Sequence, residues 1–401
     1  MRRVVVTGAG VVSSLGDSLD ALHSALCRGH NAIRPVELFP TETLACPLGG
    51  EIKGFDAQKY LGKRNLRPLD RTSRLLASAA QLALDASGWT AEMRGNQEVG
   101  LILGTMSSSV RNESEFDSSA LEAEPAYAAA KQTAILHNLR GINTTISTGN
   151  SSGLKAIAHA TDLIRSGRAR SLLAGGADGL CLDSFYGFDC AGLLCRSEHE
   201  PGDFPIPFDA RRNGLALGEG AALLMLEDAE LAKERGARAL AEIKGHGCAY
   251  NRSPGSEESS VQSVASSMRR ALDDAGMVPS EIQCLSASAN GSPKGDRHEA
   301  QAFVVTFNGN SHRLPVTAIK SMLGETLGAS GPIQALDLLE TMRDGVLPGT
   351  INVAEAEDDF PFPWVSTVRR KIDPLNGLVN SVGFDGHCCS LILARGVESP
   401  G

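Results

Sequence analysis

The sequence predicts an α/β chain whose sheets are largely buried. Short apolar runs of strand length recur along it with little charge inside them, as interior strands require. Between them lie stretches whose apolar residues follow the 3.6-residue period of a helix and stop at glycine, a helix C-cap signal. Aromatic residues make up only 4% of the chain while glycine reaches 43 residues, so the core must be Ala, Val, Leu and Ile, with helices and strands packed close.

Taken in order, Val4–Val6 reads as a buried strand, and Thr7-Gly8-Ala9-Gly10 as a glycine turn ending it. A dinucleotide fingerprint needs a third glycine where Ser13 stands, so the turn is preferred over a nucleotide site. A helix is expected over Ser73–Ser87, capped by Gly88, then a strand over Val99–Leu103. Ser107–Ser119 is polar and rich in Ser, Glu and Asp. A second helix is expected over Ser152–Ser166, ending before Gly167, then strands over Ser171–Ala174 and Ala221–Leu226. Asn251–Ser260 reads as a linker, followed by a helix over Val261–Ala275. Strands are expected over Ile282–Leu285, Leu314–Ala318 and Ser390–Ala394. The order of elements recurs after the linker, which divides the chain into halves at 1–250 and 251–401.

The charge balance removes some functions. The formal net charge of −9 argues against a broad basic face for nucleic acid. No apolar run approaches about 18 residues, so no membrane span is expected. The start, Met1-Arg2-Arg3-Val4-Val5-Val6, lacks the apolar core of a signal peptide. None of the cysteines forms a Cys-x-x-Cys pair, so no zinc site, metal or cofactor is expected. Reduced thiols and a cytoplasmic location are the simplest reading.

The chemistry is sought at Thr148-Gly149-Asn150-Ser151-Ser152-Gly153, a small-residue turn running into a helix. Such a turn exposes one side chain to the positive potential of a helix N-terminus. Four further blocks follow: Gly175-Gly176-Ala177-Asp178; Pro207-Phe208-Asp209 with Arg212-Asn213-Gly214 and Gly218-Glu219-Gly220-Ala221; Lys320-Ser321-Met322-Leu323-Gly324-Glu325; and Asn380-Ser381-Val382-Gly383-Phe384-Asp385-Gly386. Together, from Val4 to Leu393, the chain resembles a β-ketoacyl synthase of the thiolase superfamily. The resemblance implies a thiolase-like fold: two related halves forming a five-layer α-β-α-β-α sandwich.

The departures from that family carry the functional reading. Where the family has its acyl-accepting Cys, this chain has Asn150; where it has two histidines, this chain has Asn290 and Glu325. The family's thiolate takes the acyl chain, and its imidazoles assist decarboxylation and stabilise the developing enolate. An amide cannot be acylated in this way, and a carboxylate at 325 repels an enolate. Cys181 and Cys190 stand at least 31 positions from Asn150, and Cys388 and Cys389 follow the glycine-rich turn in an expected strand, so none reads as a displaced nucleophile, and His298 and His387 read as surface or turn residues. By the resemblance, Lys320 and Glu299 form an ion pair behind the site, and Phe384 gates the acyl pocket beside Asp385. Asp385 and Glu325 then make a pocket with two acids. Met106, Ser108 and Phe116 lie where the family's tunnel crosses the dimer axis. Lys63, Arg64, Arg67 and Arg71 form a basic cluster with Lys59 and Arg74. It reads either as a solvated helix face or as a contact for an acidic acyl carrier protein, which related synthases dock with basic residues.

Three readings follow. The first is a catalytically silent, chain-length-factor-type subunit that pairs with an active ketosynthase and shapes the acyl tunnel in polyketide, aryl-polyene or fatty-acid elongation. The second is a diverged acyltransferase or hydrolase using Ser151, Ser152 or the Glu325 and Asp385 acids, for which no His base stands at a matching position. The third is a homodimeric acyl-binding scaffold.

Overall fold

The fold comes from a computed structural model, which describes residues 1–63, 66–67, 69–96, 98–106, 126–196, 205–251, 253, 256–307, 314–355, 365 and 367–396. Ten strands form the main sheet: β1 (Val4–Ser13), β2 (Val99–Gly104), β3 (Asn143–Ile146), β4 (Ser171–Asp178), β5 (Gly220–Asp228), β6 (Ala241–Tyr250), β7 (Cys284–Ser286), β8 (Val316–Thr317), β9 (Asn376–Val382) and β10 (His387–Arg395). The six helices that cover it are α1 (Arg71–Ser87), α2 (Ala128–His137), α3 (Ser152–Arg165), α4 (Glu257–Ala275), α5 (Pro293–Phe307) and α6 (Ser330–Asp344).

The strand order is β8-β7-β9-β10-β6-β1-β5-β4-β2-β3. Read outward from the middle, one half runs β1-β5-β4-β2-β3 and the other β6-β10-β9-β7-β8, the same order twice. Strand directions repeat as well: the two pairs nearest the middle are antiparallel and the two outer pairs parallel in each half. The halves join through a short antiparallel stretch, Val4–Val6 against Ala241–Ile243. The second copy begins with β6, before the expected junction at 250/251.

Helices occupy equivalent places in the two copies. Apolar residues of α3 and α6 share one core with the inward faces of both halves, for example Ile157, Ile333, Leu172, Leu224, Val379 and Leu391. Helix α1 covers the outer face of the first half through Leu75, Leu76 and Leu84 against Leu101 and Leu173. Helices α4 and α5 cover the second through Met268 and Phe303 against Leu378 and Ile392. Alternation along a strand sorts these cores: Leu101 and Leu103 face one way and Ile102 the other. The result is the five-layer thiolase-like arrangement.

The sequence-based boundaries shift in places. The expected turn at Thr7–Gly10 is strand, with a bulge between Val6 and Gly8. The glycines there serve close packing: a Cβ on Gly10 would lie 2.1 Å from the Ala79 carbonyl oxygen of α1. Helix α1 starts just before the expected residue, with Asp70 capping the Ser73 amide and Gly88 left-handed at its end. Helix α4 begins at Glu257, inside the expected linker.

Candidate functional site

Strand β3 leads through Thr148 and Gly149 into α3. Gly149 has φ +58°, which turns the chain sharply and would strain any other residue. Three hydroxyl-based bonds lock this elbow. Ser151 Oγ donates to the Thr148 carbonyl at 2.9 Å, Ser152 Oγ donates to the Gly149 carbonyl at 2.5 Å, and the Thr148 amide donates to Ser152 Oγ at 2.8 Å. Asn150 is fully buried at the start of α3, and its carbonyl accepts from Ser381 Oγ at 3.2 Å. Neither its Nδ2 nor its Oδ1 finds a hydrogen-bond partner among the described residues. An unpaired buried amide costs about 1–3 kcal/mol per unsatisfied group.

Glu325 is the hub of a second, fully buried cluster. Its Oε2 accepts from Lys320 Nζ at 2.8 Å and from Asn290 Nδ2 at 2.8 Å. Its Oε1 accepts from Ser330 Oγ at 2.6 Å and the Leu327 amide at 3.1 Å. Burial pushes its pKa up, but the Lys320 cation and the bonds from Lys320, Ser330 and Asn290 outweigh this and hold it below its usual value. Lys320 Nζ also donates to the Ser288 carbonyl at 2.9 Å. The loop bearing Asn290 is pinned by Asp296, which accepts from the amides of Asn290, Gly291 and Phe208.

This corrects the expected Lys320–Glu299 ion pair, because the carboxylate at 325 takes the ammonium instead. Glu299 Oε1 accepts from the Ser288 amide at 2.8 Å and Asn380 Nδ2 at 2.6 Å. Burial pushes its pKa up to about 7, helped by the Asp296 charge, and the bonds from Ser288 and Asn380 and the charge of Lys320 offset this only in part. Strand β9 thus ties the two clusters together, Ser381 reaching Asn150 and Asn380 reaching Glu299.

Phe384, in the β9–β10 turn, stands edge-on to Phe188 at 5.6 Å between ring centroids. Asp385 is exposed, and its Oδ1 accepts from the His387 amide at 3.1 Å. Its carboxylate also fills the space over the elbow, 2.8 Å from where a Cβ on Gly149 would be. The expected two-acid pocket is not formed: Asp385 caps an exposed turn, while Glu325 is enclosed by its four donors. His387 meets Lys155 Nζ at 2.7 Å, and His298 is half-buried on α5; neither joins either cluster.

Met106, just beyond β2, packs against the cluster containing Phe185, Phe188 and Cys195. Its amide and Thr105 Oγ1 both donate to the buried Asp178, as does the Gly328 amide. Ser108 and Phe116 lie outside the described residues, as does Arg64. Lys63 and Arg67 are exposed. Arg71 is tied into the fold: its Nε and Nη2 donate to Glu219 at 2.6 and 2.5 Å. Sequence reasoning missed this because the partner is 148 residues away. It also gave no role to Asp178 or Ser330, whose value comes from the backbone they hold.

Two family models match the chain, the β-ketoacyl synthase N-terminal domain over residues 1–232 and its C-terminal domain over 240–354. The chain belongs to the β-ketoacyl synthase family. It is similar to the 3-oxoacyl-[acyl-carrier-protein] synthase 2 of Vibrio cholerae, at 31% identity over 98% of this chain and 99% of that one. It is also similar to the tetracenomycin polyketide synthase ketoacyl synthase alpha subunit of Streptomyces glaucescens, at 29% over 99% and 98%. Among solved structures, the ishigamide ketosynthase/chain length factor superposes with a TM-score of 0.89 at 30% identity, over 98% of this chain and 99% of that one. A Burkholderia phymatum β-ketoacyl synthase gives 0.90 at 30%, over 99% and 100%. Among the described residues, no helix of this family member is long and apolar enough to cross a membrane.

Proposed function

We propose that this chain is a catalytically silent ketosynthase-like subunit of the chain-length-factor type. It pairs with an active β-ketoacyl synthase, and the pair accepts substrate from an acyl carrier protein. The carrying observation is the Glu325 cluster. Where the resemblance calls for an imidazole open to a substrate carbonyl, a buried carboxylate spends itself on Lys320, Asn290, Ser330 and the Leu327 amide. Asn290, at the other histidine position, is one of those donors. Asn150, at the thiol position, offers an amide with no useful acid–base chemistry.

A partner subunit is supported by the exposed edge of the sheet. Strand β3 pairs only with β2 among the described residues, and it is flanked by Ile135 at 66%, Tyr127 at 57% and Ile142 at 36% exposure. An unpaired edge beside exposed apolar side chains is a ready surface for another chain. The edge runs directly into the Asn150 elbow, so a subunit docked there touches the site. The likeness to the ishigamide ketosynthase/chain length factor points the same way.

The hydrolase reading loses support, since Ser151 Oγ and Ser152 Oγ both donate to backbone carbonyls. The test is to incubate the chain with acyl- and malonyl-carrier protein, alone and co-expressed with an active synthase. The expected result is acylation of the synthase only, in a co-purifying heterodimer. A stoichiometric acyl adduct on this chain would overturn the proposal.

A further inference from the structure

Away from the elbow, three side chains line up as nucleophile, imidazole and carboxylate. Cys27 ends the helix Leu19–Cys27, and its Sγ lies 3.4 Å from His23 Nε2, one turn earlier on the same face. His23 Nδ1 lies 2.8 Å from Asp337 Oδ1 on the buried helix α6. The His23 and Asp337 side chains are 4% and 0% exposed, so the pair is built into the core. Cys27 is partly exposed and is not in a disulfide. The carboxylate fixes the ring so that Nδ1 donates to Asp337 and Nε2 faces the sulfur, the geometry that activates a thiol.

We propose that Cys27 is a reactive thiol, activated by His23 and Asp337, that forms a mixed disulfide with small-molecule disulfides. In the reacting state the thiolate is stabilised by the proton on His23 Nε2. The thiolate attacks one sulfur of R–S–S–R; the Cys27 S–S bond forms as the R–S–S–R bond breaks; the departing RS⁻ takes the proton from His23. The net change is Cys27–SH plus RSSR giving Cys27–S–SR plus RSH. Two observations reinforce this. Burial pulls the His23 pKa down, but its hydrogen bonds to Asp337 and Cys27 win and raise it to about 10, so the ring is cationic at neutral pH. The surrounding charges do not swamp it: Glu340, Asp20 and Asp344 are each paired with Arg343. The C-terminus of the Cys27 helix opposes a thiolate, so only the imidazole can raise reactivity above ordinary.

Cys190 gives an internal reference in the same chain, because it is exposed and Cys27 is only partly so. Accessibility alone ranks Cys190 first; activation ranks Cys27 first. The full-length protein is treated with limiting iodoacetamide from pH 6 to 9, and separately with oxidised glutathione, and both peptides are quantified by mass spectrometry. Cys27 is expected to alkylate about tenfold faster than Cys190 at pH 6.5, because the thiolate is the nucleophile and only Cys27 faces an imidazole. It is also expected to carry the glutathione mixed disulfide first. The advantage should vanish in His23→Gln, and in His23→Gln/Asp337→Asn, which leaves no unpaired buried carboxylate. A Cys27 rate within threefold of Cys190, or an advantage that survives both variants, overturns the proposal. The wild-type pH profile carries the test even if a variant fails to fold.

Discussion

Replacing Lys320 by Met is the sharpest probe of the buried cluster. The ammonium is 2% exposed and sits 2.8 Å from a Glu325 carboxylate that is 0% exposed. Breaking one partner out of a buried pair costs about 3–5 kcal/mol, because the other charge is left uncompensated. Here Glu325 keeps three donors, Asn290 Nδ2, Ser330 Oγ and the Leu327 amide, so the lower end, about 3 kcal/mol, is expected. Adding Glu325→Gln removes the stranded charge, so the double variant should be more stable than Lys320→Met alone. The coupling should be at least about 2 kcal/mol in a double-mutant cycle. The cycle with Glu299→Gln should show much weaker coupling, since Glu299 is bonded to Ser288 and Asn380 instead.

The pH dependence gives a second, independent reading of the same variant. In the wild type the folded pKa of Glu325 lies below its ordinary value of 4.5. Its contribution is therefore present above that value and lost as pH falls through the folded pKa. Without Lys320, burial dominates and the folded pKa rises above the ordinary value. The unfolded chain then releases its proton first as pH rises, and the variant loses stability across the interval between the two values. The penalty of Lys320→Met, measured as the difference between urea midpoints of variant and wild type, should shrink from pH 8 to pH 5. Asp296, which burial raises to about 6, does not feel Lys320 and cancels in the difference, whereas Glu299, at about 7, also feels the Lys320 charge, so the profile is repeated on a Glu299→Gln background. A penalty below about 1 kcal/mol, as for an exposed pair, or one independent of pH, would refute an ionised Glu325 held by Lys320.

Three further outcomes are expected. Asn150→Cys should not restore condensation in a carrier-protein elongation assay, because groups that act as a unit are not rebuilt one at a time; measurable elongation by that single variant would show that Asn290 and Glu325 are misassigned. Gly10→Ala should destabilise by about 3 kcal/mol or more and yield little soluble protein, since its Cβ would meet the Ala79 carbonyl at 2.1 Å with only backbone to give way; a normal melting temperature would place α1 wrongly on β1. In the reconstituted pair, Phe116→Ala should lengthen products and Ser108→Phe shorten them, read by product profiling; unchanged lengths with an intact heterodimer would remove this segment from any measuring role.

What could be read from the sequence divides along physical lines. Interior strands such as Val99–Leu103 announce themselves because both faces are apolar. Strand β6 does not: Glu242, Lys244 and His246 alternate with buried Ala241 and Ile243, and glycines interrupt it. Helix α6 is hidden for the opposite reason. It is buried on every side through Met342, yet carries Gln334, Asp337 and Glu340, whose burial is tolerable only beside polar or charged partners. Arg343 serves Glu340, and His23 serves Asp337, 314 residues away in the chain. The elbow itself was legible, because a small-residue turn before a helix is a local signal. The pairing behind it was not. Lys320 is five residues from Glu325 and 21 from Glu299 along the chain, and the resemblance alone offered Glu299 as its partner. Placing a carboxylate at 325 changes which acid is nearest. The buried ammonium follows the charge that it can reach at 2.8 Å, and Glu299 is left to rise toward neutrality. The carboxylate at 325 therefore decides which acid the lysine meets. Histidine restored at 325 alone would leave Asn290 unchanged and Asp385 still over the elbow.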